Sequence, residues 1–296
     1  MNEMSKVLVL GASGMLGHVV AMYLKEQGYL VDTVVNSGGF DDDSIRINLM
    51  DKNIFELFLK KNGSKYDYVI NAAGVLTKKS TDHAHIATYI NAYIPHQLEN
   101  FFKDTKTKII HYSTDCVFSG LNGPYQERSH QDGELFYDKS KALGEIINEK
   151  DLTLRQSIIG PDINEDGIGL FNWFMCQEGQ VSGYSKALWN GVTTIELAKA
   201  TKQAMEVNLT GLYHFVPDEN ITKYALLKKM NECFHRNLKI LEDSKSMNLN
   251  KTLINTRKDF PYHAPSYDVM LQEMKVWIKK HPQIYSYYNP ESISAN

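Results

Sequence analysis

The first half of the chain alternates short apolar runs with stretches in which apolar residues recur every three or four positions. The run Lys6-Val-Leu-Val-Leu10, which ends at a glycine, is typical of a strand buried on both faces. The same pattern predicts strands at residues 6–10, 30–35, 68–70, 108–112 and 152–155. Helices are predicted between them, after Gly17, at 51–61 with Asp51 as N-cap, at 82–103 and around Tyr137. This alternation predicts an α/β protein with a doubly wound parallel sheet, whose strands all end at one edge.

The alternation loosens after about residue 156. Stretches rich in glycine and polar residues predict loops at 160–169 and 179–190, on either side of an apolar helix near 170–176. The remaining elements are predicted as helices at 194–206, 223–235 and 266–280, a strand at 211–216 and a disordered tail after His281. We therefore divide the chain into a sheet domain at residues 1–160 and a smaller mixed α/β region at residues 161–296, interleaved with the last sheet strands.

The composition is that of an ordinary globular protein, with 43% of the 296 residues hydrophobic and 23% charged. A formal net charge of −3 gives no sign of a nucleic-acid or membrane-surface partner. Three scattered cysteines fit neither a disulfide framework nor a zinc site, and the histidines show no ligand spacing, so we predict no metal site. Neither a signal segment nor a long apolar run is seen, and we expect a cytoplasmic protein.

Three glycines lie between the first predicted strand and an amphipathic helix, which is the setting of a dinucleotide-binding turn. Gly11 allows the tight turn, Gly14 lets the backbone approach a pyrophosphate, and Gly17 lets the helix pack closely on the sheet. Free N–H groups at the helix N-terminus then bind the phosphates. The spacing predicts that residues 1–160 form a Rossmann-type NAD(P)-binding domain.

The choice between the two nicotinamide cofactors depends on the end of the second strand, Val34-Val35-Asn36. An NAD-preferring site usually carries an acidic residue here, and this chain has none. It also has no arginine in this stretch to hold a 2′-phosphate, and Asp41 to Asp43 are interpreted as a solvated loop. We favour NADP(H) because the acid is missing, and we leave NAD(H) open.

Tyr137 and Lys141 are four residues apart on a predicted helix, so their side chains lie on one face. A free tyrosine has a pKa of about 10 and is a poor acid near neutrality. An ammonium about 4 Å away in a partly buried site stabilises a phenolate by roughly 4 kcal/mol, which lowers the tyrosine pKa by up to about 3. The pair therefore predicts a proton donor for carbonyl or alcohol chemistry.

Several motifs follow one another in an order that resembles the extended short-chain dehydrogenase/reductase superfamily, and within it the dTDP-4-dehydrorhamnose reductase-like branch. Besides the glycine loop they are Asn71-Ala-Ala-Gly74, Asn91-Ala-x-x-Pro95, Ser113-Thr-Asp-Cys-Val-Phe-Ser-Gly120, Tyr137-x-x-Ser-Lys141 with Gly144-Glu145, and Leu154-Arg155. They extend over roughly residues 6–160. The resemblance implies a nicotinamide cofactor, a nucleotide-sugar substrate bound largely by residues 161–296, and a role for each matching residue.

By this resemblance Tyr137 donates the proton, Lys141 binds the nicotinamide ribose and lowers the tyrosine pKa, and Thr114, or alternatively Ser113, binds the reacting oxygen. The implied cofactor contacts are Gly11, Ser13, Gly14, Met15, Leu16, Gly17, Asn36, Asn48, Leu49, Asn71, Ala72, Ala73, Tyr137 and Lys141. The substrate contacts suggested are Val75, Asp115, Cys116, Val117, Phe118, Trp189 and Arg257. Two positions depart from the family pattern: Asn48 replaces an acidic residue that contacts adenine, and Cys116 replaces a tyrosine.

The activity implied is reduction of the C4 carbonyl of a nucleotide-activated 4-keto-6-deoxy sugar by NAD(P)H. A 4,6-dehydratase is disfavoured because Cys116 follows Thr114-Asp115 where such enzymes carry the glutamate used for water loss. Two alternatives stay open, an epimerase of the same superfamily and a non-catalytic NADP-binding regulatory subunit that acts on a partner enzyme. A homodimer is also left open.

Overall fold

The computed structural model describes residues 4–36 and 41–288 of the protein. Its strands are, in chain order, β1 Lys6–Leu10, β2 Leu30–Val35, β3 Ile45–Arg46, β4 Tyr68–Asn71, β5 Lys108–Thr114, β6 Leu152–Gln156, β7 Ile158–Ile159, β8 Gln180–Trp189, β9 Val192–Thr193, β10 Gly211–His214, β11 Ile221–Thr222 and β12 Lys239–Asn250. Its α-helices are α1 Gly17–Glu26, α2 Lys52–Asn62, α3 Thr77–Asp82, α4 Ala84–Ala87, α5 Ile94–Phe102, α6 Phe136–Leu143, α7 Leu170–Met175, α8 Thr194–Glu206, α9 Lys223–Cys233 and α10 Tyr267–Lys280.

Seven strands form one parallel sheet in the order β10-β6-β5-β4-β1-β2-β3. The chain starts in the middle of this sheet, moves outward through β2 and β3, and then returns to β4 on the other side of β1. Ligands of such sheets bind at the carboxyl edge where the strand order reverses. The predicted doubly wound α/β fold is confirmed, and the reversal lies between β1 and β4.

Helices cover both faces of the sheet, which explains why its strands are continuously apolar. On one face α2 and α5 bury Phe55 and Leu98, and on the other α1 buries Val20. Within β1, Val9 belongs to the core on the α1 face and Leu10 to the core on the α2 face. A strand with both sets of side chains buried has no polar positions to alternate with apolar ones.

The second half contains a strand where a loop was predicted. Residues 179–190 were expected to form a loop, but β8 occupies most of them, pairing antiparallel with β11 and parallel with β12. Its buried positions include Val181, Gly183, Ala187 and Trp189, close to a period of two. Glycine and serine within this stretch conceal that period, and β12 was not predicted at all. By contrast, the helices predicted at 194–206, 223–235 and 266–280 are confirmed as α8, α9 and α10.

The helix predicted at residues 82–103 is present in several pieces. Helical structure starts at Thr77, breaks at His83 and passes through a π-helical turn at Thr88–Tyr93 before α5. Such π-helical turns occur often at functional sites, and this one contains Asn91 of the motif described above.

The end of the chain is packed as far as it is described. The prediction of disorder after His281 is wrong for residues 282–288, because Tyr285 and Tyr288 are only 2% and 4% exposed. Residues 289–296 lie outside the described part. Among residues 4–36 and 41–288, no helix is both long and apolar enough to cross a membrane.

Candidate active site

The carboxyl ends of β1, β4 and β5 open into a cavity of about 290 Å³. Its lining comes from five places in the chain: Gly14, Met15, Leu16, Ala72, Ala73, Gly74, Leu76, Tyr112, Ser113, Thr114, Asp115, Cys116, Tyr137, Lys141, Gln156, Ser157 and Ile158. The glycine loop and the Tyr137–Lys141 pair, which are far apart in the sequence, therefore share one cavity. The sheet brings them together because all its strands end at the same edge.

The glycine loop is packed too closely for other residues at two positions. Gly11 has a φ of +75°, and a Cβ there would lie 2.6 Å from the Ala73 nitrogen. A Cβ on Gly17 would lie 2.2 Å from the Gly11 oxygen. The loop is thus pressed against the end of β4, with α1 directly behind it. This is the arrangement in which a helix N-terminus binds a pyrophosphate, so the residues present fit a nicotinamide dinucleotide.

Asn71 supports the cavity without lining it. Its side chain is buried, with Oδ1 accepting a hydrogen bond from the Ala73 N–H at 3.2 Å and Nδ2 lying 3.2 Å from His111 Nδ1. Ala72 and Ala73 are left to line the cavity. Of the other predicted cofactor residues, Asn48 accepts a hydrogen bond from the Met50 N–H, and Leu49 is part of the core.

An arginine lies beside the end of β2, where the sequence interpretation had found none. In the sheet register Arg46 of β3 is the partner of Val35, the last residue of β2. Its side chain is exposed, and its guanidinium makes no ion pair or side-chain hydrogen bond with any residue of the described part. Asp41, the first of the three consecutive aspartates, is bound to Lys25 and Ser44 instead.

Thr114, Tyr137 and Lys141 meet at the inner end of the cavity. The Thr114 hydroxyl donates to Asp115 Oδ1 at 3.2 Å and accepts from the Cys116 N–H at 3.1 Å, and it is close enough to Tyr137 to lower the tyrosine pKa against the larger effect of burial. Lys141 Nζ donates to the Tyr112 carbonyl oxygen at 2.7 Å. The last residues of β5 and the first two turns of α6 therefore position all three groups.

The electrostatics of this trio differ from the sequence prediction. Burial, with a smaller contribution from Cys116, raises the pKa of Tyr137, although Lys141 was expected to lower it. The lysine does not offset this effect because its ammonium is bound to the Tyr112 carbonyl, and because burial lowers the pKa of Lys141 itself to about 8. Tyr137 is therefore protonated near neutrality, and its hydroxyl can donate a hydrogen bond to an oxygen that gains negative charge.

We expect the efficiency with which NADPH is used, kcat/KM, to be level below pH 8 and to fall above it. A pKa lowered from 10.5 to about 8 means that Lys141 loses its ammonium charge as the pH rises through 8. kcat/KM for the cofactor reports the ionisations of the free enzyme. Lys141→Arg, which stays charged throughout, should keep its own kcat/KM constant over the same range. A wild-type profile that stays level to pH 10 would contradict this assignment.

Ser113, the alternative to Thr114, also lines the cavity, but its hydroxyl is bound to another residue. Its hydroxyl donates to Glu145 Oε1 at 2.5 Å, and Glu145 forms a buried ion pair with Arg155. Successive residues of a strand point to opposite faces, so Ser113 faces this ion pair while Thr114 faces Tyr137.

Several suggested substrate contacts lie away from the cavity. Phe118 is buried and stacks on Tyr125 with ring centroids 4.1 Å apart, and Val117 belongs to the same small core. Trp189 is 2% exposed and packs on Tyr267. Asp115 and Cys116 do line the cavity, and Val75 lies between two lining residues.

Arg257 lines a different cavity, of about 380 Å³, at the end of β10. It donates to the carbonyl oxygens of Thr210 and Leu212 and pairs with Asp259. These contacts hold the segment that follows β12 against the sheet, which is a structural role. Among the described residues, no group of three or more His, Cys, Asp or Glu side chains could hold a metal ion.

The sequence interpretation gave Asn91 no role in the site, although its motif was noticed. Its Oδ1 accepts from the Val75 N–H at 2.8 Å, and its Nδ2 donates to the Val75 carbonyl and to Ser140 Oγ, each at 3.0 Å. Ser140 lies on α6 between Tyr137 and Lys141. Asn91 thus fixes α6 to the turn that follows β4.

Two further polar residues near the cavity gave no signal in the sequence. Gln156 lines it, and its Oε1 has no hydrogen-bond partner within residues 4–36 and 41–288. Lys223, the first residue of α9, lies with its ammonium 4.2 Å from the ring centroid of Trp189. Burial lowers the pKa of Lys223 to about 8, against the opposing influence of Asp115 and Cys116 in the cavity wall.

Known proteins resemble this chain in sequence and in fold. The family model described as RmlD substrate binding domain matches residues 4–159. The probable low-salt glycan biosynthesis reductase Agl14 of Haloferax volcanii is 26% identical over 266 residues, covering 84% of this chain and 87% of that protein. Methionine adenosyltransferase 2 subunit beta of Xenopus laevis is 23% identical over 251 residues, which cover 78% of this chain and 72% of that protein. In fold, the chain is similar to the crystal structure of dTDP-4-dehydrorhamnose reductase from Bacillus anthracis in complex with NADP, with a TM-score of 0.79 and 17% sequence identity. The superposition covers 94% of this chain and 99% of that one.

Proposed function

This chain belongs to the RmlD substrate binding domain family, and we propose that it reduces the C4 carbonyl of a nucleotide-activated 4-keto-6-deoxy sugar. Membership confirms the resemblance to the dTDP-4-dehydrorhamnose reductase-like branch, so the protein is an NAD(P)-dependent oxidoreductase acting on a sugar nucleotide. One observation carries the finer proposal: Thr114, Tyr137 and Lys141 lie in the same cavity as the glycine loop.

The roles we propose for Thr114, Tyr137 and Lys141 follow from the negative charge that develops on the substrate during reduction. The cofactor supplies a hydride to the carbonyl carbon when it is bound. Negative charge then develops on the carbonyl oxygen, and the hydroxyl groups of Thr114 and Tyr137 donate hydrogen bonds to it. Tyr137 transfers its proton to that oxygen, while the Lys141 ammonium binds the nicotinamide ribose.

We propose that residues 1–160 bind the cofactor and that residues 161–296 cover the sugar nucleotide. Lys223 supports this division, because it comes from the second half and approaches Asp115 and Cys116. Cys116 also supports a reductase over a dehydratase. Burial raises the pKa of its thiol to about 12, so it stays protonated near neutrality and is no base for the elimination of water.

We expect a preference for NADPH over NADH, because Arg46 is exposed beside the end of β2 and no acidic side chain among residues 4–36 and 41–288 is paired with it. The variant Arg46→Ala should raise the dissociation constant for NADPH by about 10-fold, the effect of losing a charge-assisted hydrogen bond to the 2′-phosphate, and leave that for NADH unchanged. Cofactor fluorescence titration measures both constants. Equal losses for the two cofactors would remove Arg46 as the determinant.

The proposed function is tested by identifying the nucleotide sugar that co-purifies with the protein and assaying its 4-keto form. Mass spectrometry identifies the bound molecule, and NADPH oxidation reports turnover. We expect oxidation to depend on the 4-keto sugar and to produce the corresponding 6-deoxy sugar. A product that differs from the substrate only in the configuration of one carbon, without net NADPH oxidation, would indicate an epimerase.

A second candidate is a regulatory subunit that binds NADP and a partner enzyme. The similarity to methionine adenosyltransferase 2 subunit beta favours it. The same assay separates the two functions: stoichiometric binding to a partner enzyme, with no NADPH oxidation across a panel of 4-keto sugars, would support the regulatory subunit.

A further inference from the structure

We propose that Tyr285, acting through His18, positions the glycine loop for the cofactor pyrophosphate, which makes the segment at residues 282–288 part of the cofactor site. The proposal rests on the cofactor-binding part of the function proposed above. It concerns the side of the glycine loop that faces away from the cavity. Tyr285 is not among the residues that line the cavity and acts through His18, so it is a positioning residue and takes no part in the chemistry.

The contacts start at His18, the second residue of α1, which is fully buried. Its Nδ1 lies 2.8 Å from the Gly14 carbonyl oxygen and its Nε2 lies 2.8 Å from the Tyr285 hydroxyl. A carbonyl oxygen only accepts hydrogen bonds, so Nδ1 must carry a proton. Burial lowers the pKa of His18 to about 4, so the ring is neutral near pH 7. Nε2 must then accept a hydrogen bond, and the Tyr285 hydroxyl is its donor.

The other end of this chain of contacts is fixed in the same way. Trp277 on α10 donates its indole N–H to the Tyr285 hydroxyl oxygen at 3.0 Å. An indole N–H only donates, so the hydrogen bonds run in one direction from Trp277 through Tyr285 and His18 to Gly14. No group in the series can be reversed. A phenylalanine at position 285 would leave a buried imidazole nitrogen without its donor.

The Gly14 carbonyl is where this series of bonds affects the cofactor site. It accepts a second hydrogen bond, from the His18 backbone N–H at 3.2 Å, as the first turn of the helix requires. The peptide unit between Gly14 and Met15 is planar and trans, so the Met15 N–H points opposite to the Gly14 carbonyl. Holding the carbonyl toward His18 directs that N–H out of the helix N-terminus, where a pyrophosphate binds.

The same C-terminal segment also holds a second loop against the glycine loop. The Tyr288 hydroxyl accepts from the Asp162 N–H at 3.0 Å and lies 2.9 Å from Asn172 Oδ1. A Cβ on Gly169 would lie 2.8 Å from the Met15 sulfur, so the last residue of this second loop is in close contact with the glycine loop. The C-terminal segment thus supports the glycine loop by two routes, through His18 and through this neighbouring loop.

The variant Tyr285→Phe tests the proposal, because it removes one hydroxyl and keeps the ring. We expect the dissociation constant for NADPH to rise about 3- to 10-fold, the effect of one neutral hydrogen bond, with kcat at saturating NADPH changed by less than about 2-fold. Cofactor fluorescence titration without any sugar gives the dissociation constant. A failure of the proposed sugar substrate therefore leaves this measurement intact.

The matched control is Tyr213→Phe, which removes a buried tyrosine hydroxyl bonded to Asn255 and remote from the glycine loop. It should lower the melting temperature without changing NADPH affinity. A double-mutant cycle with His18→Leu tests the route: after His18 is removed, Tyr285→Phe should have little further effect on affinity. If Tyr285→Phe does not fold, Trp277→Phe serves in its place, and we expect it to weaken NADPH binding as well.

An unchanged NADPH affinity in a folded Tyr285→Phe protein with a lower melting temperature would overturn the proposal, since the contact would then be only structural. Equal affinity losses in the Tyr285 and Tyr213 variants would overturn it too. A wild-type protein that binds neither NADPH nor NADH would instead contradict the proposed function itself.

Discussion

Replacing Tyr137 with phenylalanine should lower kcat by about 10²- to 10⁴-fold while leaving NADPH affinity within about 2-fold of wild type. The variant keeps the ring but loses the proton that the carbonyl oxygen needs. Affinity should be preserved because the glycine loop, with its close packing at Gly11 and Gly17, is unaffected.

Single-turnover measurement of NADPH oxidation separates the chemical step from product release, and fluorescence titration gives the affinity. Thr114→Val provides a graded comparison. It removes one hydrogen bond to the developing charge and should cost about 10²-fold in the chemical step, less than the loss of the proton donor. Turnover by Tyr137→Phe within 10-fold of wild type would show that another group donates the proton, and the proposed mechanism would fail.

The second large effect is on stability. Arg155→Met should lower the free energy of unfolding by about 3–5 kcal/mol, because it leaves the Glu145 carboxylate buried without its partner. The two side chains are 1% and 2% exposed, and Arg155 Nε donates to Glu145 Oε1 at 2.7 Å. Arg155 also donates to His214 Nε2 at 2.9 Å and to the Glu127 carbonyl, so these two contacts are lost as well.

Urea unfolding followed by circular dichroism measures this free energy. The control is the double variant Glu145→Met with Arg155→Met, which removes both charges at similar volume. It should be clearly more stable than Arg155→Met alone, since replacing a buried pair by apolar side chains is often neutral. If the single variant is as stable as the double one, the pair is not the buried ionic contact described here.

Most of the sheet could be predicted because its strands are buried on both faces and therefore consist almost entirely of apolar residues. Lys6-Val-Leu-Val-Leu10 is covered by helices on both sides, so burial and sequence agree at nearly every position. The helix at 194–206 could be predicted equally well. Its N-cap is Thr193, whose side chain accepts a hydrogen bond from the Glu196 N–H. β8 was missed because glycine occupies one of its buried positions and neither of its two serines is buried, and that composition is also typical of loops.

For the candidate site, too, some features could be predicted from the sequence and others could not. The sequence identified Tyr137, Lys141 and the glycine loop from their spacing and their position relative to strands and helices, and Thr114 through the resemblance to the reductase branch. It could not show that Ser113 is bound to Glu145, nor that Lys141 is held by the Tyr112 carbonyl. Both are contacts between elements distant in the sequence, and they decide whether a hydroxyl or an ammonium is free to act.

By itself, the sequence determined the elements, the sheet, the cofactor turn and the candidate proton donor, because each depends on local spacing and on the period of burial. Only the tertiary structure decided the electrostatics of Tyr137, the position of Arg46 beside β2 and the link from Tyr285 to Gly14. These depend on which groups are buried together and on the direction of each hydrogen bond. No local pattern contains that information, because the partners lie on different elements and meet only when the sheet and its helices are assembled.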